Sequence, residues 1–145
     1  MVDRFEKFSY FISEISHYWH KIANDVMGEY GLKGPHSVYF TTMYQYPDGI
    51  TAAKLCEVCS RDKADVSRAI TVMEKKGLVV KEGANYRAQL KLTNEGKKVA
   101  EQINARAAAA VEYGGKGLTD EKRERFYEAI EIVCSNLENL SAKGL

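Results

Sequence analysis

The stretch SRDKADVSRAITVMEKKGLV, residues 60–79, gathers hydrogen-bond donors at helical spacing: Ser60, Lys63, Ser67 and Arg68. A guanidinium can bond a base edge or a phosphate bidentately, while ammonium and hydroxyl groups more often grip phosphate. Read as a helix opened by Asp62, the stretch stacks Val66, Ala69, Ile70 and Met73 on one apolar stripe and leaves these donors on the other face. Arg61, Lys54, Lys75, Lys81, Arg87 and Lys91 add basic groups nearby. Any one of them alone reads as solvated surface; the set reads as a face for an anionic partner.

Two other groups of residues could carry chemistry. Cys56 and Cys59 form C-x-x-C, the spacing of zinc and redox motifs, but Cys134 is the only other thiol, too few for a four-cysteine zinc site in one chain. In helical register the two thiols continue the buried side of Ala52 and Leu55, so they read as core. His17, His20 and His36 are the only histidines and read as surface or pocket residues rather than metal ligands. No phosphate-cradling glycine loop, metal motif or nucleophile elbow occurs, so neither catalysis nor a cofactor is expected.

The elements that must hold these residues can be read from periodicity. Phe5, Phe8, Ile12, Ile15, Trp19, Ile22, Val26 and Tyr30 alternate steps of three and four until the last step, which predicts one long helix over 5–30 with a seam for another helix. Gly31 and Gly34 end it, and Pro35 suits the first turn of a second helix running to about Tyr46. Thr51 is placed to cap a short third helix, AAKLCEVC, and Gly77 to end the helix that Asp62 opens. Residues 78–81 and 86–92 predict two short strands with a turn at 82–85. A fifth helix follows from Thr93 to about Tyr113, where glycines break it. Thr119 then opens a last helix whose Phe126, Ile130, Val133, Leu137 and Leu140 form a second seam.

With 145 residues, 45% apolar and 28% charged, the chain suits one globular domain with helical extensions. Its net charge of +1 hides an asymmetry: residues 51–98 carry eleven basic and six acidic side chains, while the segments on either side are mildly acidic. No apolar run is long enough for a membrane span and no signal peptide is evident, so a cytoplasmic protein is expected.

A short helix, a tight turn, a second helix and a basic two-stranded wing make a winged helix-turn-helix. The stretch ITAAKLCEVCSRDKADVSRAITVMEKKGLVV, followed by YRAQLKLTNEGKKVAEQI, resembles the multiple-antibiotic-resistance-regulator (MarR) family of bacterial transcription factors. The matching spacings are Asp62-Lys63-x-x-Val66-Ser67-Arg68, Glu74-Lys75-x-Gly77-Leu78-Val79 and Leu92-Thr93-x-x-Gly96. The wing departs from the family pattern: it is shorter and reads Asn85-Tyr86-Arg87 where relatives carry Asp-Arg-Arg.

The resemblance implies a mainly α fold with a small two-stranded β wing. Residues 35–92 would form the DNA-binding lobe, and 1–34 with 93–145 a helical dimerisation region. It implies a homodimeric, sequence-specific regulator, a repressor by expectation, reading a pseudo-palindromic operator with half-sites roughly 34 Å apart. Ser60, Arg61, Lys63, Ser67, Arg68, Lys75, Lys81, Arg87 and Lys91 would meet DNA. Phe5, Phe8, Ile12, Ile15, Phe126, Ile130, Val133, Leu137 and Leu140 would meet the second copy. Trp19, His20, His36, Tyr39, Phe40 and Met43 are candidates to line a pocket for a small aromatic effector. Two alternatives stand beside this: a winged-helix module that binds protein instead of DNA, and a thiol- or metal-responsive sensor.

Overall fold

The computed structural model describes residues 2–144. The chain runs as helix α1 (Val2–Gly28), a 3-10 turn (Gly34–His36), α2 (Ser37–Tyr44), strand β1 (Ile50–Thr51), α3 (Ala52–Cys59), α4 (Lys63–Lys75), β2 (Val79–Glu82), a 3-10 turn (Asn85–Arg87), β3 (Gln89–Leu92), α5 (Asn94–Gly114) and α6 (Asp120–Lys143). The expected winged helix-turn-helix, mainly helical with a small sheet, is what forms. It divides into two compact units, Met1–Arg106 and Ala107–Leu145. Among the described residues no helix is long and apolar enough to cross a membrane.

In the first unit the core is continuous through α2, α3, α4, the strands and the start of α5. Phe40, Met43, Leu55, Val66, Met73 and Leu90 are fully buried in it, together with Met27 near the end of α1. The predicted stripe of α4, Val66, Ala69, Ile70 and Met73, is the face it buries. Val99, Ala100 and Ile103 carry the core into α5, and Arg106 clasps Glu29 through two bonds of 2.8 and 3.0 Å. These contacts explain why the first compact unit extends to Arg106 rather than stopping where the wing ends.

Helix ends follow local chemistry. Thr51 and Asp62 accept backbone N–H groups of Lys54 (3.2 Å) and Asp65 (2.8 Å), capping α3 and α4. After α1, α3 and α4 the chain turns through a left-handed residue: Gly31, Ser60 and Gly77. At each of these ends the N–H beyond that residue reaches back to a carbonyl inside the helix, Leu32 to Met27, Arg61 to Cys56 and Leu78 to Met73. Ser60 adopts φ 50° and ψ 47° where the other two positions use glycine.

Three details differ from expectation. The helix α1 ends at Gly28 rather than Tyr30, because residues 29–31 form its closing turn. Pro35 sits in the 3-10 turn ahead of α2, which is shorter than expected and stops at Tyr44. The sheet has three strands, ordered β1-β3-β2, with Ile50 opposite Leu90 and Val79 opposite Leu92, all antiparallel. A two-residue strand carries no period of its own, so only its pairing reveals β1. In the wing, Asn85 takes a positive φ and Arg87 belongs to a 3-10 turn, so the second long strand begins at Gln89.

The Leu-Thr-x-x-Gly spacing acquires a physical reason. Thr93 Oγ1 donates to the Gly77 carbonyl (2.7 Å) and accepts from the Gly96 N–H (3.1 Å). Gly96 packs so closely on Leu78 that an added Cβ would collide with its carbonyl oxygen.

The second unit holds the end of α5, a glycine-containing turn and α6. Thr119 caps α6 through the Lys122 N–H (3.2 Å). Arg123 donates to Glu112 (2.7 Å) and to the Gly115 carbonyl (3.3 Å), tying the helix start to the turn. No residue of α6 is buried within this unit.

Candidate nucleic-acid interface

Helix α4 presents its polar side between two concavities. The first, of about 470 Å³, lies against α3 and the wing; Lys63, Ser67, Thr71 and Lys81 supply its polar lining over Cys56, Ile70 and Leu90. The second, of about 420 Å³, lies against the segment entering α2 and is lined by Lys33, His36, Tyr39, Arg61, Asp65 and Arg68, among others. Lys63, Ser67 and Lys81, chosen from the sequence, thus share one hollow, and Arg61 and Arg68 share the other. Thr71 was not singled out from the sequence. It follows Ser67 by four residues on the same helical face, a spacing that was available as a signal, and its hydroxyl donates to the Ser67 carbonyl (3.0 Å).

The remaining candidates are spread around this face. Ser60 occupies the left-handed turn between α3 and α4, and exposed Lys75 is in the last turn of α4. Exposed Arg87 lies in the 3-10 turn at the tip of the wing, and half-buried Lys91 is on β3.

Many of the cations already hold carboxylates. Arg68 is bonded to Asp65, one turn back on α4. Lys54 pairs with Glu57 (3.0 Å), Lys91 with Glu82 (2.9 Å) and, more loosely, Lys81 with Glu74 (3.8 Å). Among the described residues Arg61, Lys63 and Lys75 pair with no carboxylate. Exposed pairs of this kind contribute little stability and exchange readily for a phosphate. The cap itself is anionic: the Asp65 N–H, with further help from Ala64 and the Arg68 charge, holds the Asp62 carboxyl below its ordinary range.

The six effector-pocket candidates do not gather. Phe40 is wholly inside the core, and Met43 borders a different hollow beside Tyr44 and Leu92. Tyr39 and His36 line the hollow beside Arg61. Trp19 is exposed on α1, where His20 meets Ser16 at 3.3 Å. The reason is that α2 buries Tyr39, Phe40, Thr42 and Met43, so its aromatic side chains serve several surroundings instead of one. Burial pushes the Tyr39 hydroxyl above its ordinary pKa; burial, then the Lys33 charge, push His36 below its own.

The C-x-x-C thiols are both half-buried against the core, and Cys59 Sγ lies 3.4 Å from the Thr42 hydroxyl. Among the described residues no three His, Cys, Asp or Glu side chains converge as a metal site.

The predicted helical seams have little cover in either unit, except where Val26 and Tyr30 at the end of the first one meet the core. On α1, Phe5 is 71% exposed and Ile15 57%; Phe8 and Ile12 are exposed as well. On α6, Phe126, Val133, Leu137 and Leu140 are exposed and Ile130 is half-buried.

Residues 30–86, the segment that holds the helix-turn-helix and most of the wing, match the model of the MarR family. Solved structures extend the likeness over most of the chain. A MarR transcriptional regulator from Methanosarcina mazei Go1 is 22% identical, with a TM-score of 0.80 over 93% of this chain and 92% of that one. A MarR protein from Peptoclostridium difficile is 24% identical, with a TM-score of 0.82 over 94% and 90%. A point mutant of Staphylococcus aureus MepR, solved bound to an oligodeoxyribonucleotide, is 20% identical, with a TM-score of 0.60 over 90% and 97%. No curated protein matches the chain significantly.

Proposed function

We propose that this protein is a sequence-specific, DNA-binding transcriptional regulator that acts as a homodimer. The observation that carries the reading is α4: its apolar stripe is fully committed to the core, and its opposite face presents Lys63, Ser67, Arg68 and Thr71 beside a wing bearing Lys81 and Arg87. In this reading α4 enters the major groove, Arg68 exchanges Asp65 for a base edge, and Ser60, Arg61, Lys63, Ser67, Lys75, Lys81 and Lys91 hold phosphates. Arg87 at the wing tip reaches toward the minor groove. The oligodeoxyribonucleotide bound to the MepR mutant supports DNA as the partner.

Residues 35–92 then form the reading lobe, and 1–34 with 93–145 the dimerisation region. The exposed seams of α1 and α6 support a second copy as their cover, since apolar surface of this extent is uncommon on a monomer. The regulator works in the cytoplasm as a repressor whose DNA affinity a small effector shifts, as the family resemblance implies.

The test is binding of the purified protein to DNA from upstream of its own gene against random DNA of equal length, at two salt concentrations. Preferential binding that falls steeply with salt and drops roughly tenfold or more in Arg68→Ala is the expected result. Equal, feeble binding to every fragment of a genomic library would replace this reading with a protein-interaction role for the lobe.

A further inference from the structure

The hollow between the segment entering α2 and the flank of α4 has an unusual lining. It is formed by only one acid, Asp65, and by three cations, Lys33, Arg61 and Arg68. His36 adds a further donor. Its Nδ1 accepts the Lys33 backbone N–H at 3.1 Å, so in the neutral ring the proton sits on Nε2. Tyr39 adds another: the residue is only 3% exposed and lines the hollow, yet its hydroxyl has no hydrogen-bond partner among the described residues. The hydroxyl is open to solvent through the hollow, so an acceptor entering there can take its hydrogen bond.

Every polar group here except the Asp65 carboxylate can donate, and Asp65 is already engaged by Arg68. The complementary guest is compact, rich in acceptor oxygens and multiply negative. A volume of about 420 Å³ admits such a group with a small substituent. We propose that this hollow is a binding site for a free phosphate group, as inorganic phosphate or a small phosphate monoester, held by Tyr39, His36, Arg61, Lys33 and Arg68. A DNA phosphodiester shares the chemistry but carries a single charge, so it exploits fewer of the cations. The site stands whether or not α4 reads DNA. If α4 does, Arg61 and Arg68 belong to both surfaces, and phosphate in the hollow competes with DNA for them.

The experiment titrates the full-length protein, without DNA, with inorganic phosphate and separately with dimethyl phosphate at constant ionic strength. The ring signals of Tyr39 and His36 are followed by NMR. Saturable shifts with phosphate, and weaker ones with dimethyl phosphate, are expected. Arg61→Gln, at an exposed position, and Tyr39→Phe, which deletes only the unpartnered hydroxyl, should each weaken phosphate binding about tenfold. Lys98→Gln, outside the hollow, should leave it unchanged. Absence of saturation, or equal affinity in Arg61→Gln and the parent, would overturn the site. Equal affinity for the diester would replace a free phosphate with the DNA backbone as its guest. No phosphate binding by the parent chain while it still binds operator DNA would reject this site alone and leave the proposed function standing.

Discussion

The winged lobe and the long helices α1 and α6 spend their apolar residues differently. In the lobe Leu55, Val66, Met73 and Leu90 are almost entirely withdrawn from water, and the donors of α4 stand on the one side that packing does not use. Along most of α1 and all of α6, Phe5, Ile12, Ile15, Phe126 and Leu137 keep 44–71% of their surface exposed. The lobe closes its own core and so positions its polar face without help. The long helices have the pattern of a packed seam with little cover inside their own unit. The same physical rule, burial of an apolar stripe, is satisfied within its own unit in one region and left unsatisfied there in the other.

That contrast can be broken from either side. Leu55→Ala removes a fully buried side chain and should cost the lobe about 2–5 kcal/mol, read from denaturant unfolding. It should reduce DNA binding only through the unfolded fraction. Ile12→Asp acts on exposed surface of α1 and should leave the lobe folded. It should weaken self-association by about 2 kcal/mol or more, seen as a monomer in sedimentation at concentrations where the parent is dimeric. A parent chain that is monomeric throughout would erase the distinction between the regions. The smallest effect belongs to Asp62→Ala at the start of α4. Its carboxyl is depressed in the folded chain, so its contribution is present above the ordinary carboxylate pKa and is lost as pH falls through the lower folded value. The variant should therefore unfold at lower denaturant than the parent near neutral pH, with the gap closing in acid.

The legible parts were those governed by short-range chemistry. Thr51, Asp62 and Thr119 act as the caps they were expected to be, Gly77 ends α4, and the stripe of Val66, Ala69, Ile70 and Met73 is the buried one. Each depends on residues within a turn or two, where spacing alone determines who can meet. The tip of the wing was misread as strand because Tyr86-Arg87 continues an apolar-polar alternation, whereas the left-handed Asn85 starts a tight turn. The strand Ile50–Thr51 escaped notice because it exists only against β3.

Sequence alone determined the helices, the capped starts of α3, α4 and α6, and the order of the helix-turn-helix and its wing, since periodicity of 3.6 or 2 and capping are properties of neighbours along the chain. It also placed donors on the free face of α4. Only the tertiary structure decided how those donors divide, because residues far apart in sequence meet there through packing. Lys63, Ser67 and Lys81 share a hollow with α3 and the wing; Arg61 and Arg68 share another with Lys33, His36 and Tyr39. Neighbours such as Tyr39 and Phe40 consequently differ in kind, one lining a cationic cavity and the other sealed in the core, because a helix turns about 100° between one residue and the next.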